Sequence, residues 1–554
     1  MAFRLLLVLL FTASCGPTRE PYDVILRGGK IVDGTGRAAF AGDVAIRGDR
    51  VVQVGAVAGT AAREIDARGL VVAPGFIDMH SHSDWLLLED GAAQSKIRQG
   101  VTIEVLGEES SGGPCKGKMS GRVSGPEGSR VSWTTLGGYF EALERSGISV
   151  NVASYVGQGN VWRCVMGDSH ARPSPAEFEE MKLLVAEAMK DGAFGLSCML
   201  ASGPGNLATT DDMVALCRVA ACDKGIYSTH IRTEGTEVLA AIREAIEIGE
   251  RAGVPVDIIH LKIAEQKLWG RMNEIVALIE SARARGVAVH ANVYPYTRGN
   301  NNLVTILPTW AHEGGLERML ARLRDPAERE KMKKDIRSGI PGWYNHYTAV
   351  GGDWARMLVN ANLSAKNKRF EGQTMDKILA ARGAAAGDGL DGMFDFLLEE
   401  NGSVATIYAH HTEEDMNLAM KQPWCSIGSD GLAYATEGPL RRGVPHPRSF
   451  GTFPRVLGVY ARERGLLTLE DAVRKMTSLN ASKLGLRDRG VLRPGAFADV
   501  TIFDAGRVID RATYLEPFQY PEGIETVIVN GQVVLEMGRH TGARAGRVLR
   551  RGRD

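Results

Sequence analysis

Two periodicities alternate along the chain. At both ends, short apolar runs sit between turn signals: Tyr22–Arg27 and Asp43–Ile46 beside Gly28-Gly29 and Arg47–Arg50, then Asp499–Phe503 and Val527–Leu535. Runs of this kind predict short antiparallel strands. Inside the last run, Asn530-Gly531 supplies the residue pair that tolerates positive φ at a tight hairpin. The two end regions are expected to complete one β domain between them.

The middle of the chain reads differently. Val72–Met79 and Val101–Leu106 are strand-like, whereas Pro175–Lys190, Asp212–Ala221 and Val238–Ala252 carry helical spacing. Two further apolar runs, Gly253–His260 and Gly286–Tyr294, have polar residues at or near their ends. Repeated strand and helix units predict a parallel sheet, and polar residues at strand C-terminal ends favour a (β/α)8 barrel. From Gly299 to about Asn367 the rhythm breaks into Asn, Trp and charged helical pieces such as Leu316–Lys334, which predicts an insertion over the barrel mouth. No fixed-period repeat of solenoid length is present.

Polar residues at the strand ends carry the chemistry. His80 and His82 follow an apolar strand, and strand alternation sends both imidazoles to one side, where they can share a metal. His230, His260 and Asp430 each close another strand-like run. Four histidines and a carboxylate at such positions are hard to attribute to packing, because uncompensated polar groups there cost desolvation energy.

Composition narrows the picture. Lys plus Arg and Asp plus Glu number 66 each, so net charge draws the chain neither to nucleic acid nor to an anionic surface. No Gly-rich dinucleotide turn lies between a strand and a helix, which disfavours nicotinamide or flavin redox chemistry. Arg4, the apolar run Leu5–Phe11 and Ala13-Ser14-Cys15 have the layout of an export signal with a lipoprotein-like processing site. That predicts a periplasmic protein anchored by lipid on Cys15. Cys115, Cys164, Cys198, Cys217, Cys222 and Cys425 show no CxxC spacing and are expected to be isolated thiols, with room for one or two disulfides after export.

Several segments together resemble the N-acyl-D-amino-acid deacylases, or D-aminoacylases, of the amidohydrolase superfamily. They are Gly75–His82, Gln99–Thr102, Gly195–Ser197, Thr229–Arg232, Tyr294–Tyr296, Ser429–Gly431 and His446–Arg448 through Phe453–Arg455. The resemblance runs from about Tyr22 to Val534. It implies an α/β protein: a metal-dependent (β/α)8 barrel with a composite β-sandwich domain and an inserted lid. The expected boundaries are residues 1–15 for the signal, 20–72 and 486–538 for the β domain, 73–485 for the barrel, 299–367 for the lid and 539–554 for a flexible basic tail.

Carried over by position, His80 and His82 resemble the ligands of one metal position and His230 and His260 those of another, for one or two zinc ions. Asp430 resembles the catalytic carboxylate. Where the family has Gly-Asn-Cys-Gly, with the Cys as a further ligand, this chain has Gly107-Glu108-Glu109-Ser110, so Glu108 or Glu109 is the expected substitute, with Glu108 preferred. Lys262, Tyr294 and Arg448 take the substrate-carboxylate and orienting roles, Arg232 being a weaker candidate. Asn300 replaces a small hydroxyl residue of the substrate pocket and Gln158 a common His, while Arg298 adds a cation near the lid. The implied reaction is hydrolysis of N-acyl-D-amino acids. Cleavage of D-residue dipeptides or of cyclic amides is the alternative on the same site.

Overall fold

The computed structural model describes residues 22–121, 131–361, 363–384 and 387–553. The export-like segment and Cys15 lie outside the described residues.

A parallel barrel forms the centre. Its strands in chain order are Phe76–Asp78, Val101–Leu106, Asn151–Ser154 continued by Val156–Gly157, Gly195–Met199, Ile226–His230, Val256–Ile258, Val289–Val293 and Cys425–Ile427. Neighbours run parallel, as in Ile103 opposite Asn151 and Ser197 opposite Ser228. The circle closes where the Asp430 N–H donates to the His80 carbonyl at 2.8 Å and Ser81 bridges Gly431. Both faces of these strands are covered, one by the barrel interior and one by helices, which is why they read as apolar runs. Capping boxes at Ser174 and Thr209 start the helices Pro175–Asp191 and Thr210–Cys222, and left-handed Gly192 and Gly253 end Pro175–Asp191 and Val238–Ala252.

The two chain ends meet in a nine-stranded sheet. Its seam is Val71–Pro74 against Val500–Phe503, with Val72 opposite Ile502. Leu26, Ile46 and Val72 from one arm pack against Val500, Ile502 and Ile528 from the other, so neither arm buries its apolar face alone. The Asn530-Gly531 hairpin forms with φ of +48° and +82°. Gly75 divides the expected long strand Val72–Met79: a Cβ there would stand 2.2 Å from the Thr102 side chain, and the chain turns from sheet into barrel at that point.

The insertion is longer than the expected 299–367. Gly299–Asn302 pairs with Ala405–Tyr408, which pairs with Met357–Ala361 and through it with Gln373–Thr374. The whole span from 299 to 408 thus belongs to one subdomain with its own core around Leu303, Met357, Phe394 and Tyr408. The helix Leu390–Glu399, the strand Ala405–Tyr408 and the following His410-His411 imitate a barrel unit in sequence, and only strand pairing separates them from one.

The basic tail, expected to be flexible, packs against the barrel over its described residues. Val152 N–H donates to the Arg547 carbonyl at 2.9 Å and Leu549 N–H to the Val152 carbonyl at 2.7 Å. Leu549 is fully buried beside Ile77 and Met79. Two apolar residues among arginines are enough to dock the segment under the barrel, a feature that composition averages away. The cysteines Cys115, Cys164, Cys198, Cys217, Cys222 and Cys425 are free thiols, and all but Cys222 are buried.

Candidate metal centre and active site

The candidate ligands leave the C-terminal ends of four strands. His80 and His82 follow Phe76–Asp78, His230 is the last residue of Ile226–His230, His260 follows Val256–Ile258 and Asp430 follows Cys425–Ile427. His260 and Asp430 have φ of +39° and +52°, a left-handed backbone uncommon away from glycine. That bend swings both side chains into the barrel mouth.

There the side chains converge. His80 Nε2 lies 3.1 Å from His82 Nε2, and Asp430 Oδ1 lies 3.4 Å from the first and 3.0 Å from the second. The ligand atoms of His80, His82 and His230 all lie within 4.8 Å of one another. The His260 ring is centred 4.5 Å from that of His230 and 5.2 Å from that of His80. Bonds of ~2.1 Å to a tetrahedral zinc put ligand atoms ~3.4 Å apart, the spacing seen between His80, His82 and Asp430. His230 Nε2 is buried with no hydrogen-bond partner among the described residues. Burial holds His80 and His230 well below the usual imidazole range and therefore neutral, the form that ligates metal. The donor set fits a zinc ion.

Burial by itself would raise the Asp430 carboxyl, but Arg448 and the surrounding imidazoles pull it well below the usual carboxylate range. Arg448 Nη1 sits 2.6 Å from Asp430 Oδ2, close enough for an ion pair yet without the alignment of a hydrogen bond. The Arg448 guanidinium lies 4.8 Å over the Tyr294 ring, and Tyr294 Oη is buried without a partner among the described residues. Lys262 Nζ contacts Glu234 Oε1 at 2.5 Å and His260 Nδ1 at 2.8 Å. Burial lowers the Lys262 ammonium, against the pull of Glu234.

The two adjacent glutamates part company. Glu109, at φ +64°, lines the cavity. Glu108 turns inward, accepting from Ser228 Oγ at 2.9 and 3.1 Å, and burial raises its carboxyl well above the usual range. Asn300 lines the cavity with its Oδ1 buried and unpartnered among the described residues. Three weaker candidates stand apart from the cluster: Arg232 is paired with Glu244, Arg298 stacks 4.5 Å over Tyr514, and Gln158 is buried outside the cavity lining.

Sequence reasoning missed Glu234, His410 and His446. Glu234 binds Lys262 and lies 3.1 Å from His260 Nδ1, where it can hold the tautomer that frees Nε2 for a metal. His446 Nδ1 accepts from the Arg448 N–H at 3.1 Å, and His410 lines the cavity from the end of the insertion. The His446-Pro447-Arg448 motif and the paired His410-His411 were visible signals, but neither announces which side chain it supports. The cavity itself measures about 550 Å³ and is roofed by the insertion through Asn300, Tyr344, His346 and Tyr408.

Comparisons with known proteins identify the family. A profile described as the amidohydrolase family matches residues 63–339 and 372–535. The D-aminoacylase of Alcaligenes xylosoxydans xylosoxydans is 34% identical over 538 residues, covering 96% of this chain and 98% of that protein. The same organism's N-acyl-D-glutamate deacylase is 35% identical over 537 residues, covering 96% and 97%. The N-acyl-D-glutamate deacylase of Bordetella bronchiseptica, solved with zinc and a phosphonate mimic of the tetrahedral intermediate, superposes with a TM-score of 0.80 at 31% identity, covering 96% of this chain and all of that one. With a metal-binding barrel mouth, a β domain built from both termini and a profile match over most of its length, this chain belongs to the amidohydrolase family.

Proposed function

We propose that this protein is a zinc-dependent deacylase that hydrolyses N-acyl-D-amino acids to a carboxylate and a free D-amino acid. The observation that carries the reading is the meeting, at one cavity, of the His80, His82, His230 and His260 imidazoles and the Asp430 carboxyl group beside Lys262, Tyr294 and Arg448. It is supported by the deacylase relatives at 34% and 35% identity.

His80, His82, His230 and His260 would hold the metal, with Glu108 or Glu109 as a further donor, and the ion would supply a Lewis acid and make water nucleophilic near neutral pH. Asp430 is fixed by Arg448 at Oδ2, which leaves Oδ1 facing the cluster. It takes the proton of the attacking water and passes it to the departing nitrogen, since an amine leaves poorly unless protonated. The unaligned Arg448 N–H and the Tyr294 hydroxyl, unpartnered among the described residues, offer donors to a substrate carboxylate, and the Lys262 ammonium adds charge.

The test is metal-reconstituted enzyme given paired N-acyl-D- and N-acyl-L-amino acids and D-residue dipeptides, with product amine measured. Release from the N-acyl-D compounds is expected; release from dipeptides alone would sink the reading. Asp430→Asn should cut kcat by about 10²–10⁴-fold with metal content kept. The N-terminal residues Arg4, Leu5–Phe11 and Cys15 support export and lipid anchoring in the periplasm. Radiolabelled palmitate should enter the wild type and not Cys15→Ser.

A further inference from the structure

The lining of the cavity is mixed: besides the histidines and polar side chains such as Asp168, His170 and His312, it carries an apolar patch. That patch comes from the insertion, where Leu307 and Met319 are buried, Val304 is half-buried and Leu316 keeps 49% of its surface exposed. These side chains are contiguous: a Cβ on Gly402 would meet Met319 Cε at 2.9 Å, Leu316 Cδ1 at 3.1 Å and Val304 Cγ1 at 3.6 Å. Leu207, after the fourth barrel strand, faces the same space. Of the exposed large hydrophobics among the described residues, Phe40, Leu183, Leu316, Leu515 and Met537, Leu316 is the one that lines the cavity. An exposed leucine backed by buried apolar side chains in an active-site cavity is a surface that gains by being covered.

We propose that the preferred substrates carry a medium-chain linear fatty acyl group, with the hydrocarbon tail lying along Val304, Leu316 and Met319. This rests on the deacylase reading and names its substrate class. Three constraints select the acyl tail as occupant. The substrate carboxylate is held at the charged end by Lys262 and Arg448. The D-side chain branches from the carbon that bears that carboxylate, so it stays near the same end. Only the acyl chain leads away from the scissile carbonyl on the side opposite the amino acid, and an acetyl group would leave most of a 550 Å³ cavity unfilled.

The experiment is a chain-length series, N-acetyl, N-butanoyl, N-hexanoyl and N-octanoyl, on one D-amino acid with the zinc-loaded full-length enzyme. We expect kcat/KM to rise about two- to fourfold per added methylene. Leu316→Ser should lower the octanoyl-to-acetyl ratio about fivefold or more, while Leu183→Ser, on an outer helix, should leave that ratio unchanged. Turnover of the acetyl compound with a flat or falling series overturns the inference and spares the deacylase reading. So does a gain that follows the bulk of the D-side chain and is erased by Leu316→Ser. Absence of turnover with every N-acyl-D-amino acid overturns both.

Discussion

Two sets of buried polar groups share this barrel, and they differ in how their hydrogen bonds are used. In the interior, Lys483 Nζ reaches Asp257 Oδ1 at 2.7 Å, the Ala291 carbonyl at 2.8 Å and Ser426 Oγ at 2.8 Å. Lys96 is held likewise by Asp78 at 2.7 Å and Ser429 at 2.9 Å. At the mouth, His230 Nε2, Tyr294 Oη and Arg448 Nη1 are equally buried yet lack an aligned partner among the described residues. A buried ammonium with three acceptors is complete and has nothing left for a ligand. Unmatched donors and acceptors converging on one cavity are a site, because something from outside must satisfy them. Burial and charge alone do not tell the two groups apart; the count of satisfied bonds does.

Substitutions can break or sharpen that contrast. The largest effect is expected for His80→Ala, which should lower zinc content and reduce deacylation by about 10⁴-fold or more while leaving the fold intact. Zinc analysis and circular dichroism read these separately, and a zinc-replete, active variant would remove His80 from the site. Next comes Lys483→Met, which strands Asp257 and should cost ~3–5 kcal/mol in urea unfolding. Unchanged stability there would refute the view that the interior pair is structural. Arg448→Lys keeps the charge but loses the fork, and should lower kcat/KM by about 10–100-fold, mostly through KM. A drop confined to kcat would assign Arg448 to Asp430 alone.

The smallest effect concerns His290, beside Lys483, whose imidazole is pushed down to about 4 by burial and then by the Lys483 charge. Below its ordinary value the unfolded chain binds a proton that the folded chain refuses, so stability is complete above about pH 6.5 and is lost as pH falls through about 4. His290→Gln should flatten that slope by on the order of 1 kcal/mol per pH unit between about pH 6.5 and 4. Identical pH curves for wild type and variant would show that the ring does not titrate with folding.

Local pattern determined a good deal about this protein. Apolar strands ending in His80, His230 and His260 carry their own register, since alternation decides which side chains share a face. Helix starts at Ser174 and Thr209 and the hairpin at Asn530-Gly531 depend on residues within a few positions of each other. The tertiary structure alone decided what depends on distant partners. Ala405–Tyr408 joins the insertion because Gly299–Asn302 and Met357–Ala361 pair with it, and the tail docks because Val152 offers it a free edge. Whether a buried polar group had its hydrogen bonds filled, as Lys483 does, or kept an unaligned donor, as Arg448 does, turned on acceptors contributed by strands far apart in the chain. Hydrogen-bond satisfaction is a property of the assembled pocket, and no window of sequence contains it.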